Sequence, residues 1–307
     1  MDYAEFTGKD SPFYEAADDV AEVVNFAIRL GRPILVEGEP GSGKTTLAKA
    51  IAWELGLGSP RGTPIMTTVK STFQAKDLLY RFNSLKRLQE VQDPQRRDQA
   101  QYVYPYITLQ PLGEAIRAGK PAVVLIDEID KADIDFPNDL LEVLGVFGFD
   151  IDEMPVEEDA LSLAKWGFGR RVEGGGDGAV RPIVVITSNR EKQLPEPFLR
   201  RCLYIELKFP EDETFLATIL RKNLGKDADT ISRELLESAI TRFLKVRKQA
   251  LQSGAQKPPA TSELIDWVNV LHWKRTDPKL LAADEVPHWK VLFKTMQDLD
   301  VFGRQQK

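Results

Sequence analysis

Eight consecutive residues, Gly38-Glu39-Pro40-Gly41-Ser42-Gly43-Lys44-Thr45, match the spacing G-x-x-x-x-G-K-[ST] at every fixed position. Glycines at this spacing let backbone N–H groups converge on phosphate oxygens, and a helix starting at the lysine adds its partial positive charge. Lys44 is expected on the β- and γ-phosphates, the Thr45 hydroxyl on Mg²⁺, and Thr46 beside it on the same turn. A second pattern is the pair Asp127-Glu128, which ends the apolar run Val123-Val124-Leu125-Ile126. Adjacent acids at a strand end face different ways, which permits two roles. Asp127 organises Mg²⁺ mainly through its water shell, and Glu128 orients the attacking water and takes its proton. Asn189 closes another apolar run, Pro182 to Thr187, where it either positions that water or serves as a turn residue bonded to its own backbone. Arg200 and Arg201 are either surface ion pairs or donors to a neighbouring subunit's γ-phosphate. The joint pattern predicts binding of a nucleoside triphosphate, with the means to cleave it.

These residues need a scaffold, and the periodicity supplies one. Residues 14–30 carry Val20, Val23, Ala27 and Leu30 on one helical face and stop at Gly31. Ile34 to Glu37 reads as a buried strand, Thr45 to Leu55 as a helix, and Ile65 to Val69 as a second strand. Phe13 and Tyr14 either pack in a core or line a base pocket. The run from Glu90 to Gln101 reads as a solvated connection, Tyr102 to Ile107 as extended chain, and Pro111 to Ala118 as a short helix with a first-turn proline. The run before Asp127 is uninterrupted, as in a parallel strand buried on both faces. Ligands of open α/β sheets lie beyond the carboxyl ends of the strands, so the two acids are expected to face the phosphates. Phe136 to Phe147 has helical spacing. Residues 148–180 read as an insertion with a glycine-rich hairpin tip at Gly174 to Ala179, and Leu203 to Phe209 as the last strand.

From Glu211 onward only helical patterns follow, at Phe215 to Leu224, Ile231 to Leu251, Ser262 to Trp273 and Trp289 to Leu299. Trp267, Trp273 and Trp289 are expected in the core of this part, and Arg242, Lys245, Arg247 and Lys248 on a solvated helix face. The expected fold class is therefore α/β, an αβα parallel-sheet nucleotide domain over 1–209 followed by a smaller all-α lid over 210–307.

Composition sets outer limits. A charged fraction of 29% and hydrophobic fraction of 42% are those of a soluble globular protein, and no apolar run is long enough to span a bilayer. The single cysteine forbids an internal disulfide, which fits the cytoplasm. Two histidines and one cysteine, far apart, make no zinc site. A net charge of −6 argues against a general hold on nucleic acid.

Phosphate loop, Asp-Glu strand end, polar strand end, arginine pair and trailing helices, in that order, resemble the AAA+ ATPases, and among them the MoxR family. The carriers are GEPGSGKT at 38–45, VVLIDEIDKADIDFPNDLLEVL at 123–144, ITSN at 186–189, LPEPFLRRC at 194–202 and TSELIDW at 261–267. The resemblance implies ATP as the nucleotide, a ring of subunits (a hexamer) with nucleotide at each seam, Asn189 as first sensor and Arg201 as arginine finger, assisted by Arg200. It places a helix-2 insert within 70–83, which with the hairpin would contact a protein client. The partner class it names is proteins bearing von Willebrand factor A domains. One departure is that many relatives carry an arginine at the start of the third lid helix as a second sensor of the nucleotide, whereas here Lys257 is the only nearby basic candidate for that nucleotide-binding role. Two other readings are a nucleotide-dependent binding switch with little turnover and a DNA-directed ATPase.

Overall fold

The structure is a computed structural model, and it describes residues 3–174, 180–225, 230–283 and 285–305. In chain order the helices and strands are α1 (Asp18–Leu30), β1 (Ile34–Gly38), α2 (Lys44–Glu54), β2 (Ile65–Thr68), β3 (Tyr80–Phe82), α3 (Ser84–Gln92), α4 (Arg97–Ala100), β4 (Ile107–Leu109), α5 (Pro111–Ala118), β5 (Val123–Asp127) and α6 (Phe136–Val146). They continue with β6 (Gly148–Asp150), α7 (Asp159–Trp166), β7 (Arg171–Glu173), β8 (Ile183–Ser188), α8 (Glu196–Leu199), β9 (Leu203–Leu207), α9 (Glu213–Leu224), α10 (Arg233–Gln252), α11 (Thr261–Trp273) and α12 (Met296–Gln305). None of the helices is long and apolar enough to cross a membrane, among the described residues.

The main sheet has the order β2-β5-β8-β1-β9, with β2–β5, β5–β8 and β8–β1 paired in parallel. The fold is thus the expected α/β class with helices alone after the last strand. All six residues of the middle strand β8 are buried, and four of the five in β5, which is why both read as unbroken apolar runs. Register aligns the carboxyl ends: Thr68 lies opposite Asp127, Ile126 opposite Ile186, and Glu37 opposite Ser188.

The chain divides into two compact units that interleave in sequence. The first comprises Met1–Phe6, Asp19–Glu37 and Ile51–Ile205; the second comprises Thr7–Asp18, Gly38–Ala50 and Glu206–Lys307. The core of the first unit gathers Leu35, Val124, Ile126, Leu140, Leu144, Ile186 and Phe198. The core of the second is built by α9, α10 and α11 around the fully buried Trp267, whose indole N–H donates to the Pro287 carbonyl at 2.8 Å.

Several local expectations are corrected. The run Glu90 to Gln101 is not a plain connection: α3 extends to Gln92 and α4 follows. Asn83 caps α3 by accepting from the Lys86 N–H at 2.9 Å, and the Arg87 guanidinium donates to the Ala100 and Gln101 carbonyls. Tyr104 to Tyr106 form a 3₁₀ turn, and extended chain begins only at Ile107. The turn is held by buried Glu158, whose carboxylate accepts from the N–H groups of Val103 and Tyr104 at 2.7 and 3.2 Å. Within the insertion, β6 pairs antiparallel with β7 and α7 lies between them in sequence; the tip at 175–179 lies outside the described residues.

In the second unit, Trp273 is 73% exposed rather than in the core. It stands two residues past buried Leu271, about 200° round the helix at 3.6 residues per turn. Residues 289–299 are not one helix. A 3₁₀ turn at Trp289–Val291 precedes α12, whose start is capped by the Thr295 hydroxyl accepting from the Asp298 N–H. Arg247 is buried and not on a solvated face; Lys245 and Lys248 are exposed as expected.

Candidate nucleotide-binding site

The first unit brings four polar residues together at the ends of β5 and β8. Their link is Thr187, fully buried in β8. Its hydroxyl donates to Asp127 Oδ1 at 2.5 Å and accepts from the Glu128 N–H at 2.9 Å. One side chain therefore fixes both neighbouring acids. Glu128 has φ 61°, a left-handed backbone that a non-glycine residue adopts at a cost of order 1 kcal/mol or more. That turn separates the direction of its carboxylate from that of Asp127. Glu128 Oε1 accepts from Asn189 Nδ2 at 3.4 Å, and Oε2 is bound by Lys131 Nζ at 2.5 Å. The Glu128 carboxylate raises the Lys131 pKa above its ordinary value.

Asn189 is itself positioned from below. Buried Asp130 accepts from the backbone N–H groups of Asn189 and Glu191 at 3.0 and 2.9 Å. The next residue, Arg190, has φ 61°; it pairs with Glu37 at 2.7 Å and donates to the Tyr204 hydroxyl at 2.6 Å. Thr187, Asp130, Lys131 and Arg190 were missed by sequence reasoning. The available signals were a hydroxyl interrupting the apolar β8 run and an acid at 130 flanked by Ile129 and Ala132.

The two arginines part company. Arg200 is exposed and ion-paired with Glu196 one turn earlier. Arg201 is exposed and has no acidic partner among the described residues.

In the second unit lies the phosphate loop. Gly41 and Gly43 have φ 79° and 93°, the left-handed turns that only glycine adopts freely. A side chain at Gly41 would collide with Ser262, since a Cβ there would lie 2.3 Å from Ser262 Oγ, and one at Gly43 would press on the Tyr14 ring at 3.3 Å. Lys44 is buried, and its ammonium donates to the carbonyls of Gly38 and Glu39 at 2.8 and 3.0 Å. Ser42 Oγ is buried and has no hydrogen-bond partner among the described residues. A curled glycine loop, a buried cation, an unsatisfied hydroxyl and the N-terminus of α2, which opens at Lys44-Thr45-Thr46, together fit a polyphosphate.

Tyr14 belongs to an N-terminal segment tied to α9 by Lys222, whose ammonium pairs with Glu15 at 2.6 Å and donates to the carbonyls of Lys9 and Tyr14. Burial raises the Tyr14 pKa far above its ordinary value. Lys257 is exposed, and its backbone N–H donates to Asp298. A basic side chain from α10 also meets the loop: Arg247 donates to Glu39 Oε2 at 2.8 Å.

Two solved structures of NtrX from Brucella abortus are similar to this chain. The one in complex with ADP covers 94% of it at 14% identity with a TM-score of 0.44, and the other covers 95% at 14% identity with a TM-score of 0.45. The chain spans 58% and 61% of the length of those two structures. No curated protein matches its sequence. The profile of the family described as "ATPase family associated with various cellular activities (AAA)" matches residues 34–211, more than half of the chain and all of the strand ends and loop described above. This chain therefore belongs to the AAA ATPase family.

Proposed function

We propose that this chain is a Mg²⁺-dependent ATP hydrolase of the MoxR type that works in the cytoplasm as a homo-oligomeric ring, six-membered by the resemblance. Cleavage at the seams would remodel or activate a protein partner of the von Willebrand factor A-domain class. The observation that carries the reading is the single hydroxyl of Thr187 holding both Asp127 and Glu128, with the Asn189 amide on the Glu128 carboxylate. Two groups, the Thr187 hydroxyl on Asp127 and the Glu128 backbone and the Asn189 amide on the Glu128 carboxylate, hold the paired acids in the way that water activation needs.

In this reading Lys44 and the loop N–H groups from Gly38 to Thr45 bind the phosphates, with Thr46 behind them. Thr45 and Asp127 would hold the cation. Bound Mg²⁺ supplies charge neutralisation at the phosphoryl oxygens. Glu128 takes the proton as water oxygen bonds to the γ-phosphorus, and the bridging oxygen leaves with ADP. Arg201, which lacks an acidic partner within its own described chain, is available to a neighbour's phosphate; Arg200 assists once it leaves Glu196. Client contact falls to the segment 70–83. In the first unit this segment, α6 and the β6–β7 pair line an open groove of about 790 Å³.

The test is Glu128→Gln. It should bind ATP as tightly as the parent and lose turnover by roughly 10² to 10⁴, the contribution of a positioned general base. Unaltered turnover would remove Glu128 from the reaction. A second reading, a binding switch with little turnover, is favoured by one contact: Lys131 holds the carboxylate that must accept the proton. Phosphate release that stops at one equivalent per protomer, even with partner present, would select the switch.

A further inference from the structure

Within the second unit a second buried cation, besides Lys44, meets the phosphate loop. The Arg247 guanidinium, on α10, donates through Nη2 to Glu39 Oε2 at 2.8 Å and through Nη1 to the Pro259 carbonyl at 2.5 Å. Its face lies over the Phe209 ring, 4.1 Å from the centroid. Its side chain is 9% exposed, while that of Glu39 is 47% exposed. Arginine is thus fixed by three partners, and the acid it holds has its other face in solvent. Glu39 is also one of the two loop residues whose carbonyls accept from Lys44. Pro259 leads into α11, whose Ser262 stands against Gly41. Arg247 therefore grips residue 39 directly and, through Pro259, the helix start that covers residue 41.

An acid inside a phosphate loop adds a negative charge where a highly charged anion must sit. We infer that Arg247 is a positioning residue that acts through Glu39: it cancels that charge and holds the loop against α10 and α11, so that it sets how strongly the loop prefers triphosphate to diphosphate. The inference rests on the nucleotide reading above. It places this role on α10, the second helix after the last strand.

Opposite signs test it. Arg247→Met keeps the bulk and leaves Glu39 unpaired, and ATP should bind about tenfold more weakly, with ADP affected less because it carries less charge. Glu39→Gln removes the negative charge and leaves the guanidinium, and ATP should bind several-fold more tightly relative to ADP. The double variant should return most of the way to the parent ratio. Both single effects should shrink at high salt. Arg247→Lys keeps the charge without the two-pronged grip and should lie between parent and Arg247→Met. Fluorescent-nucleotide titration with thermal melts of each variant reads all of this. A double variant as weak as Arg247→Met would mean that Arg247 meets the phosphates itself and would overturn the inference. Loss of ATP and ADP binding by equal factors in both single variants would reduce the contact to plain support of the fold. A parent protein that binds neither nucleotide would defeat the nucleotide reading instead, an outcome distinct from the other two.

Discussion

At the scale of single residues, the proposed catalytic acid and its neighbours show how one hydroxyl does the work of several. The Thr187 hydroxyl touches both Asp127 and the Glu128 backbone, and it is buried in the middle strand. Cys202 shows the opposite case, a reactive group made inert. Burial pushes its thiol up to about 12. At pH 8 the thiolate fraction is then roughly 10⁻⁴, about three orders below that of a free cysteine with pKa near 8.5. A thiol reagent should label the folded protein very slowly and the unfolded protein at once. Because the folded value is raised, the linked stability is present below the ordinary value of 9.0 and is lost as pH climbs toward 12. Rapid labelling under native conditions would contradict the burial. The residues with fixed spacing were legible in the sequence, since chemistry dictates the spacing of a loop or an acid pair. Thr187 and Arg247 were not, because each acts across 59 to 208 residues of chain, where no local pattern exists.

At the scale of elements, amphipathic and unbroken apolar runs gave α1, α5, α6, β1, β5 and β8 close to their observed bounds. Failures came where partners outside the run decided the outcome. The 3₁₀ turn at Tyr104 to Tyr106 follows from the distant Glu158 carboxylate, and Trp273 faces outward because α11 spends its buried face on Leu264, Trp267, Val268 and Leu271. Helix α5 carries a prediction that reverses the usual rule. Replacing an exposed helix glycine by alanine stabilises by about 1 kcal/mol. Gly113, however, is buried in α5, and a Cβ there would lie 2.0 Å from the Leu79 carbonyl oxygen, a backbone atom that cannot step aside. Gly113→Ala should therefore destabilise, by about 1–3 kcal/mol as overpacking does. Urea unfolding measures it, and a higher midpoint would show that the close approach is absent.

At the scale of the whole molecule, the proposed reaction needs more than one copy. Turnover per protomer should rise with protein concentration. Arg201→Ala should keep ATP binding while losing roughly 10³-fold or more in turnover. Mixing Arg201→Ala with Lys44→Ala protomers, each inactive alone, should restore activity in part, because some seams then join an intact loop to an intact guanidinium. No recovery from the mixture would place Arg201 away from its neighbour's nucleotide. The AAA fold was legible from the order of motifs; the interleaving of the two units was not, since a chain read in order suggests a single cut near 209.

That interleaving bears on how the protein is made. The ammonium of Lys222 meets carbonyls 208 and 213 positions earlier, and the guanidinium of Arg247 meets an acid 208 positions earlier. Closing such wide circuits costs chain entropy that nearby contacts do not repay. A polypeptide leaving the ribosome can build the β5–β8 region while Thr7 to Asp18 and the loop still wait for their counterparts. The nucleotide loop is consequently among the last parts to be clamped during synthesis, and premature termination anywhere before residue 247 yields a chain with that loop unfastened.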